Sequence, residues 1–240
     1  MEYQNTRHDP VPAIDGGVAT SRLAALRREI MLRSWGRSPH VQSLAKRALD
    51  VSLSLGMMLA LTPVLLPIAL LIKLTDGGKV LFWQDRVGRH GRVFRFPKFR
   101  SMVANAEAIQ RQLDAQNQHG TGVTFKMKRD PRITWIGRII RRASIDELPQ
   151  LWCVLVGDMS LVGPRPPLPR EVARYTLADR RRLECTPGLT CHWQVQGRSE
   201  IPFPRQVELD VDYIENQNIA LDVKLLAQTI PAVINGRGAY

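Results

Sequence analysis

The chain has 240 residues, and its 34 Lys and Arg against 22 Asp and Glu give a formal net charge of +12 at pH 7. This length allows one substantial domain with appended segments, and the charge indicates an anionic partner, either nucleic acid, a membrane surface or a phosphorylated substrate. The three cysteines, Cys153, Cys185 and Cys191, form no CxxC pair, which disfavours a zinc site beside His192 and is typical of a reducing compartment. No apolar stretch near the start marks a signal peptide.

Residues 1–42 are predicted to form an N-terminal tail. Within it, SRLAALRREIMLRSW (21–35) resembles a basic amphipathic helix with Leu23, Leu26 and Ile30 on one face, which suits a helix lying on a membrane. The tail carries none of the motifs described below, so we expect it to be dispensable for chemistry.

The next segment is apolar and long enough to reach across a membrane. VSLSLGMMLALTPVLLPIALLI (51–72) contains no charged residue. The alternative, a buried core helix, is disfavoured because such helices seldom run this far without a polar face. Basic residues flank both ends: Lys46 and Arg47 before the segment, and Lys73, Lys79, Arg86 and Arg89 after it. The positive-inside rule then places both ends in the cytoplasm.

Two prolines near the middle of this segment predict a bend. Pro63 and Pro67 each remove a backbone hydrogen bond, and the Thr62 hydroxyl could satisfy a carbonyl freed at the bend. A kinked single span fits the prolines, but a helix that enters and leaves by the same leaflet fits both the prolines and the flanking charges. Residues 43–75 are therefore predicted to be a re-entrant membrane helix, which makes the protein monotopic.

Residues 76–240 are predicted to form a cytosolic domain that begins with a β-hairpin. Val80 to Trp83 and Val93 to Phe96 are β-prone runs joined by a stretch with Gly88 and Gly91. Residues 79–100 hold seven basic residues and one acid, which indicates either a solvated face or an anion-binding surface. Met102 to Gln118 is a candidate polar helix, and Asp130-Pro131 indicates a turn. The fold class predicted from these elements is α+β, mainly helical.

Two adjacent acids, Asp146 and Glu147, stand in the sequence RRASIDELPQLW (141–152). Ser144 and Glu147 match a capping box, whereas Pro149 favours a helix that begins near Leu148, after the acids. In either register the acids lie at the positive end of a helix, where a carboxylate stays ionised and phosphate also binds well. Such a carboxylate could attack phosphorus or hold a divalent metal. The neighbouring arginines are Arg138, Arg141 and Arg142.

A loop rich in glycine and proline follows, GDMSLVGPRPP (157–167). It places Arg165 between prolines, and a rigid arginine suits bidentate recognition of phosphate, although the local sequence also fits a structural turn. No dinucleotide-binding fingerprint, Walker-type loop or HExxH motif occurs in the chain.

These motifs together resemble the bacterial sugar transferase family, the monotopic phosphoglycosyl transferases that start polysaccharide assembly on a polyprenyl phosphate. The matching blocks, in order, are KFRSM (98–102), DPRIT (130–134), DELPQLW (146–152), GDMSLVGPRP (157–166) and TPGLT (186–190). The match runs from about Lys46 to the end. The chain resembles the short form of the family, without the multi-span N-terminal region of larger members.

The resemblance implies a reaction at the cytoplasmic face of the bacterial inner membrane. A UDP-sugar would give its phosphosugar to undecaprenyl phosphate and begin an exopolysaccharide or another surface glycan. Asp146 would be the nucleophile that forms a phosphosugar–aspartyl intermediate and expels UMP, and Glu147 would be the ligand of a Mg²⁺ cofactor. The candidate phosphate-binding residues are Arg165 and Arg142, followed by Arg132, Arg100 and Lys98.

Three sites depart from the family pattern and bear on the choice of donor: Cys153, Cys191-His192 and Gln196. The competing interpretations are a membrane-anchored protein that binds nucleic acid or anionic lipid without chemistry, and an inactive assembly subunit. Adjacent acids inside the most basic region would repel a phosphodiester backbone, so we expect no nucleic-acid partner. Membrane lipids are expected partners, a homo-oligomer is compatible with the sequence, and the sugar is left open.

Overall fold

The computed structural model describes residues 39–103, 105, 106, 109 and 130–235. The predicted amphipathic helix at 21–35 and most of the predicted helix at 102–118 lie outside these residues. The chain divides into two compact units, Met1–Ser43 and Leu44–Tyr240, and apart from the first turn of one helix the elements below belong to the second.

The described residues form a mainly helical α+β structure, as the sequence predicts. The helices are α1 Pro39–Asp76, α2 Trp135–Arg142, α3 Leu151–Val156, α4 Pro169–Val172, α5 His192–Gln196, α6 Phe203–Asn216 and α7 Ile219–Asn235. The strands are β1 Leu81–Val87, β2 Val93–Phe99, β3 Ser160–Val162 and β4 Gly188–Thr190. Short 3₁₀ segments are Arg89–Gly91, Ile145–Gln150, Asp179–Leu183 and Arg198–Glu200; we call Ile145–Gln150 the DE turn.

The predicted β-hairpin is confirmed, and its strands are longer than the β-prone runs. β1 and β2 pair antiparallel from Leu81 opposite Phe99 to Val87 opposite Val93. The ladder continues through the polar residues 84–86 because their partners on β2 include the buried Phe94 and Phe96, which fix the strand against the core. The extension matters because it carries residues 86 and 98 to the same side of the domain as the DE turn.

The main core lies between β2, α3, the β3–β4 pair, α6 and α7. Its buried members include Phe96, Leu151, Val154, Leu161, Tyr213 and Leu225. β3 and β4 pair parallel, and the loop after β3 passes directly against β4: a Cβ on Gly188 would overlap the backbone of Gly163. This close approach requires glycine and fixes the course of the loop that carries Arg165.

Helix α1 is continuous through both prolines. An 18-residue window within Gln42–Thr75 has a mean hydropathy of 2.4 and only 6% of that window is buried, so by length and composition α1 could cross a membrane. The helix is not interrupted at Pro63 or Pro67, and the bend predicted there stays a prediction. The predicted role of Thr62 is corrected, because its hydroxyl donates to the Met58 carbonyl oxygen at 2.7 Å, one turn back, which is the ordinary reach of a helical threonine.

The first half of α1 is joined to the domain by buried polar contacts. The Lys46 ammonium donates to the Asp222 carboxylate on α7 at 2.7 Å and to the Val162 carbonyl at 3.1 Å. Asp50, which is buried, accepts a hydrogen bond from the Leu161 backbone N–H at 3.0 Å. Separating α1 from the domain would leave the carboxylates of Asp50 and Asp222 without their partners, which is costly, so these contacts fix α1 on the domain.

The end of α1 contacts the domain through a separate apolar cluster. Ile72 is buried together with Phe99 of β2 and with Ile136 and Ile140 of α2. Both halves of the apolar helix therefore pack against the same globular unit.

Candidate active site

The two acids lie on the DE turn, directly ahead of α3. Ser144 has left-handed backbone angles (φ 55°, ψ 19°) and makes no side-chain cap, so the predicted capping box is wrong. The alternative start near Leu148 is also displaced, because the α-helix begins at Leu151. The segment with Pro149, which has no N–H to donate, forms a 3₁₀ turn instead of an α-helix, and Asp146 and Glu147 lie at its beginning.

Glu147 is held between two cations from different elements. Its Oε1 accepts a hydrogen bond from the Lys98 ammonium of β2 at 2.8 Å and another from Nη2 of Arg165 at 2.8 Å. Burial alone would raise the pKa of Glu147, but Arg165 and Lys98 outweigh it and hold that pKa well below its usual range. Glu147 therefore stays ionised throughout the neutral range.

Asp146 differs from its neighbour in having no hydrogen bond or ion pair among the described residues. It is only 8% exposed, and it lines a cleft of about 1820 Å³. Burial raises the pKa of Asp146, an effect that Lys98 opposes and that the negative charge of Glu147 reinforces. The result is a carboxylate with free lone pairs in a cationic cleft, which suits a nucleophile.

The arginine on the cleft wall of α2 is Arg141 and not the predicted Arg142. Arg142 is exposed and does not line the cleft, whereas Arg141 lines it and lowers the pKa of Asp146. Successive residues of a helix point about 100° apart, so only one of two adjacent arginines can face the site.

The predicted Arg132 and Arg100 both line the cleft. Arg132 is buried and already paired: its Nε donates to Asp130 Oδ1 at 2.8 Å, and its Nη2 to Oδ2 at 2.6 Å. Arg100 follows β2 directly. Its guanidinium lies against Gly78, the second residue after α1, and occupies the space that a side chain there would need. Among the contacts of the described residues, Lys98 and Arg165 are the members of the predicted set that bind the acid pair, both through Glu147.

The cationic lining of the cleft includes arginines that the sequence analysis did not assign to phosphate binding. Arg86 on β1 and Arg198 after α5 both line the cleft. From the sequence, Arg86 was treated only as one of the charges that follow the membrane segment, and Arg198 was not singled out. The strand alternation that carries Arg86 to the same face as Phe94 and Phe96 was the available signal.

Backbone strain is concentrated at the cleft. Among the described residues, the non-glycine positions with positive φ are His90, Ser144 and Arg198, and the last two line the cleft. Such conformations cost about 1–3 kcal/mol each and persist where the surrounding structure fixes them, as at functional sites.

The acid pair suits a Mg²⁺ ion that is shared with a substrate. Among the described residues no three His, Cys, Asp or Glu side chains form a metal-binding group, so the protein alone builds no cage. Mg²⁺ is usually held by one or two carboxylates together with substrate phosphates and waters. The carboxylates of Asp146 and Glu147 fit that donor set. Lys98 and Arg165 now bind Oε1 of Glu147, and binding of these cations to substrate phosphate oxygens would free that oxygen for the metal.

Comparison with known proteins decides the family. The profile of the family described as bacterial sugar transferase matches residues 41–236. The chain belongs to the bacterial sugar transferase family. The matched range contains the acid pair and all the cleft residues discussed above.

Relatives within the bacterial sugar transferase family carry descriptive names. The chain is 52% identical over 165 residues to the galactosyl transferase CpsE of Streptococcus agalactiae serotype III, covering 68% of this chain and 36% of that protein. It is 41% identical over 199 residues to the undecaprenyl-phosphate galactose phosphotransferase of Salmonella typhimurium, covering 81% and 41% respectively. It is 35% identical over 203 residues to the exopolysaccharide production protein ExoY of Sinorhizobium fredii, covering 83% and 90%. The chain thus spans less than half of the first two relatives and most of the third.

Proposed function

We propose that this protein transfers a phosphosugar from a UDP-sugar to undecaprenyl phosphate, through a covalent intermediate on Asp146, in the assembly of an exopolysaccharide or another surface glycan. The observation that carries the proposal is the arrangement of the acid pair: Asp146 is buried and unpaired within the described residues, and Glu147 beside it is held by Lys98 and Arg165. Relatives named for phosphotransfer with undecaprenyl phosphate and for exopolysaccharide production support the choice of the lipid acceptor and of the product.

In the first displacement a carboxylate oxygen of Asp146 attacks the phosphorus that bears the sugar. The bond from that phosphorus to the bridging oxygen breaks, and its electron pair leaves with UMP. Lys98 and Arg165 are positioned to stabilise the charge on the transferring phosphoryl group, since both already bind the adjacent carboxylate. A Mg²⁺ ion held by Glu147 would neutralise diphosphate charge as the leaving group departs.

In the second displacement the lipid phosphate takes the phosphosugar from Asp146. One of its oxygens forms the new bond to phosphorus, and the electron pair of the aspartyl–phosphorus bond returns to the carboxylate. Splitting the transfer in this way lets the aqueous donor and the lipid acceptor react in turn.

The contacts of α1 support a placement on one side of the membrane. Lys46 near its start and Ile72 near its end both contact the globular unit. A spanning helix would place its ends on opposite sides of a hydrocarbon core of about 30 Å, so that a globular unit lying on one side could not contact both. Apolar side chains on the face of α1 that is turned away from the domain, among them Leu59 and Leu66, are 68% and 65% exposed, which fits a helix that presents this face to lipid.

The reaction is tested by product release. Detergent-solubilised protein is incubated with a panel of UDP-sugars, with and without undecaprenyl phosphate, and UMP is measured. We expect a stoichiometric burst with one donor alone and continuous turnover when the lipid is added. Absence of UMP release with every donor, in protein that remains folded, would overturn the proposed function.

The topology is tested by cysteine labelling. In a background with the native cysteines replaced, Leu44→Cys and Lys79→Cys should both resist a membrane-impermeant thiol reagent applied to intact cells. The physical reason is that both ends of α1 would lie on the cytoplasmic side. Both positions should label once the membrane is permeabilised, which controls for accessibility. Labelling of either position from outside would show that α1 spans the membrane.

A further inference from the structure

Arg86 is a half-buried cation that makes no ion pair with a carboxylate of the described residues. Its Nη1 donates to the Pro166 carbonyl at 3.0 Å and its Nη2 to Gln84 Oε1 at 2.9 Å. Its Nε is buried and has no hydrogen-bond partner within the described chain. Burial lowers the pKa of Arg86 to about 10, helped by the positive charge of Arg165, yet the group remains charged at neutral pH. A buried guanidinium N–H that lacks an acceptor is costly, so the Nε of Arg86 marks a place where a further acceptor would be stabilising.

Arg86 lies near the acid pair, but its hydrogen bonds go to Pro166 and Gln84 and not to the acids. Its guanidinium and the Lys98 ammonium lie over the same ring, that of Phe96, at 5.1 and 5.4 Å from the centroid. Its hydrogen bond to Pro166 places it next to Arg165, which binds Glu147. Arg86 is thus connected to the acid pair through two adjacent residues: it binds the carbonyl of Pro166, and Arg165 binds Glu147.

The loop that carries Arg165 is fixed to the end of the strand that carries Arg86. The Val87 N–H donates to the Pro167 carbonyl at 2.9 Å. The prolines on both sides of Arg165, at 164, 166 and 167, restrict the movement of the loop. The two guanidiniums are therefore held close together, although like charges repel. An anion bound by both would remove that repulsion, and its oxygens would supply the acceptor that the Arg86 Nε lacks.

The geometry points to a second anion subsite, formed by Arg86 and Arg165, which binds the leaving phosphate of the nucleotide in the first displacement and the phosphate of the lipid acceptor in the second. This inference rests on the function proposed above. In each displacement the entering and leaving oxygens lie roughly in line across phosphorus. Asp146 occupies one side in both steps, so the departing nucleoside monophosphate and the incoming lipid phosphate must use the same opposite side.

Both reactions at this subsite conserve charge and atoms. When the first displacement breaks the bond to the bridging oxygen, the electron pair goes to the phosphate of the nucleoside monophosphate, and Arg86 stabilises that charge. After this product leaves, a lipid phosphate oxygen attacks from the vacated position while Arg86 and Arg165 hold its remaining oxygens. Water can also attack the aspartyl adduct from that side, but it brings no phosphate for Arg86 to bind.

The test compares three acceptors on one adduct. Wild-type protein and the variants Arg86→Gln, Arg86→Lys and Arg92→Gln are loaded with the donor, freed of nucleotide, and mixed with undecaprenyl phosphate, with UMP or with buffer alone. Arg86→Gln should slow attack by both phosphates about 100-fold, the typical effect of removing one charge-stabilising donor, and leave hydrolysis by water unchanged. Arg86→Lys should recover part of the loss. Arg92→Gln, on the same hairpin with its side chain 81% exposed, should match wild type.

Two outcomes would overturn the inference. Equal slowing of all three acceptors would mean that Arg86 only supports the shape of the site, and unchanged phosphate attack would mean that it binds no phosphate. If the wild type forms no adduct, the proposed function fails instead. The subsite is then decided by equilibrium binding of UMP to the full-length protein, which Arg86→Gln should weaken about 10- to 100-fold and Arg92→Gln should leave unchanged.

Discussion

Replacing Asp146 by Asn should abolish formation of the phosphosugar adduct and reduce turnover by about 10⁴-fold or more, as removal of a covalent nucleophile does in other enzymes. The amide has the same shape but lacks the charge and the free lone pairs that attack phosphorus. The wild-type carboxylate is available because no hydrogen bond or ion pair engages it among the described residues. Intact-mass analysis with the donor alone should show the adduct in the wild type and none in the variant.

The matched control is Asp158→Asn. Asp158 lies in the loop between α3 and β3, and its ion pair with Arg92 is long, at 3.6 Å, so its loss should leave turnover unchanged. An adduct that survives Asp146→Asn would refute the assignment. Full activity of that variant would instead favour a binding or assembly role for the chain, since a pure binder of anions gains from losing a negative charge.

The pH dependence of adduct formation gives a second view of Asp146. Its pKa is raised by burial, so the carboxylate gains a proton at a higher pH than an exposed aspartate does. The rate should therefore fall as the pH is lowered through that raised pKa. Glu147 does not contribute to this limb, because its pKa is held well below the usual range and it remains ionised.

The sequence could predict the features that depend on local chemistry. The hairpin follows from β-prone runs around a glycine-containing turn, and the acid pair with the loop of Arg165 follows from short motifs. Thr134 illustrates the same point, since its side chain caps α2 by accepting a hydrogen bond from the Gly137 N–H at 3.0 Å. Local patterns of this kind need only neighbouring residues for their energetics.

The sequence could not predict features that depend on distant partners. Ser144 matches a capping box, but the side chain of Glu147 is bound by Lys98, which is 49 residues away along the chain. Arg141 and Arg142 are equivalent in a linear motif, and only the packing of α2 distinguishes them. Arg86 was placed among the membrane-flanking charges because the linear sequence does not show that the loop after β3 brings Arg165 close to it. In each case tertiary contacts outweigh a local preference.

Replacing Glu147 by Gln should lower turnover by about 10³-fold and also destabilise the fold by about 3 kcal/mol. The two effects have separate causes. Loss of the charge removes the proposed Mg²⁺ ligand, so that the diphosphate charge is less well neutralised. It also leaves Lys98 and Arg165, both largely buried, without the carboxylate that pairs with them. Turnover across a Mg²⁺ titration and denaturant unfolding measure the two effects independently.

A surface ion pair provides the control for the stability effect. Arg205 and Glu208 lie 2.6 Å apart, but their side chains are 58% and 62% exposed, so Glu208→Gln should change neither stability nor turnover. Removal of Glu147 should also shift the acid limb of adduct formation to lower pH, because its negative charge contributes to the raised pKa of Asp146 and because Lys98 and Arg165 are then free to favour the ionised aspartate. Such a shift would separate an electrostatic role from simple misfolding. Wild-type turnover by Glu147→Gln, or by the native protein in excess chelator, would contradict a metal held at this carboxylate.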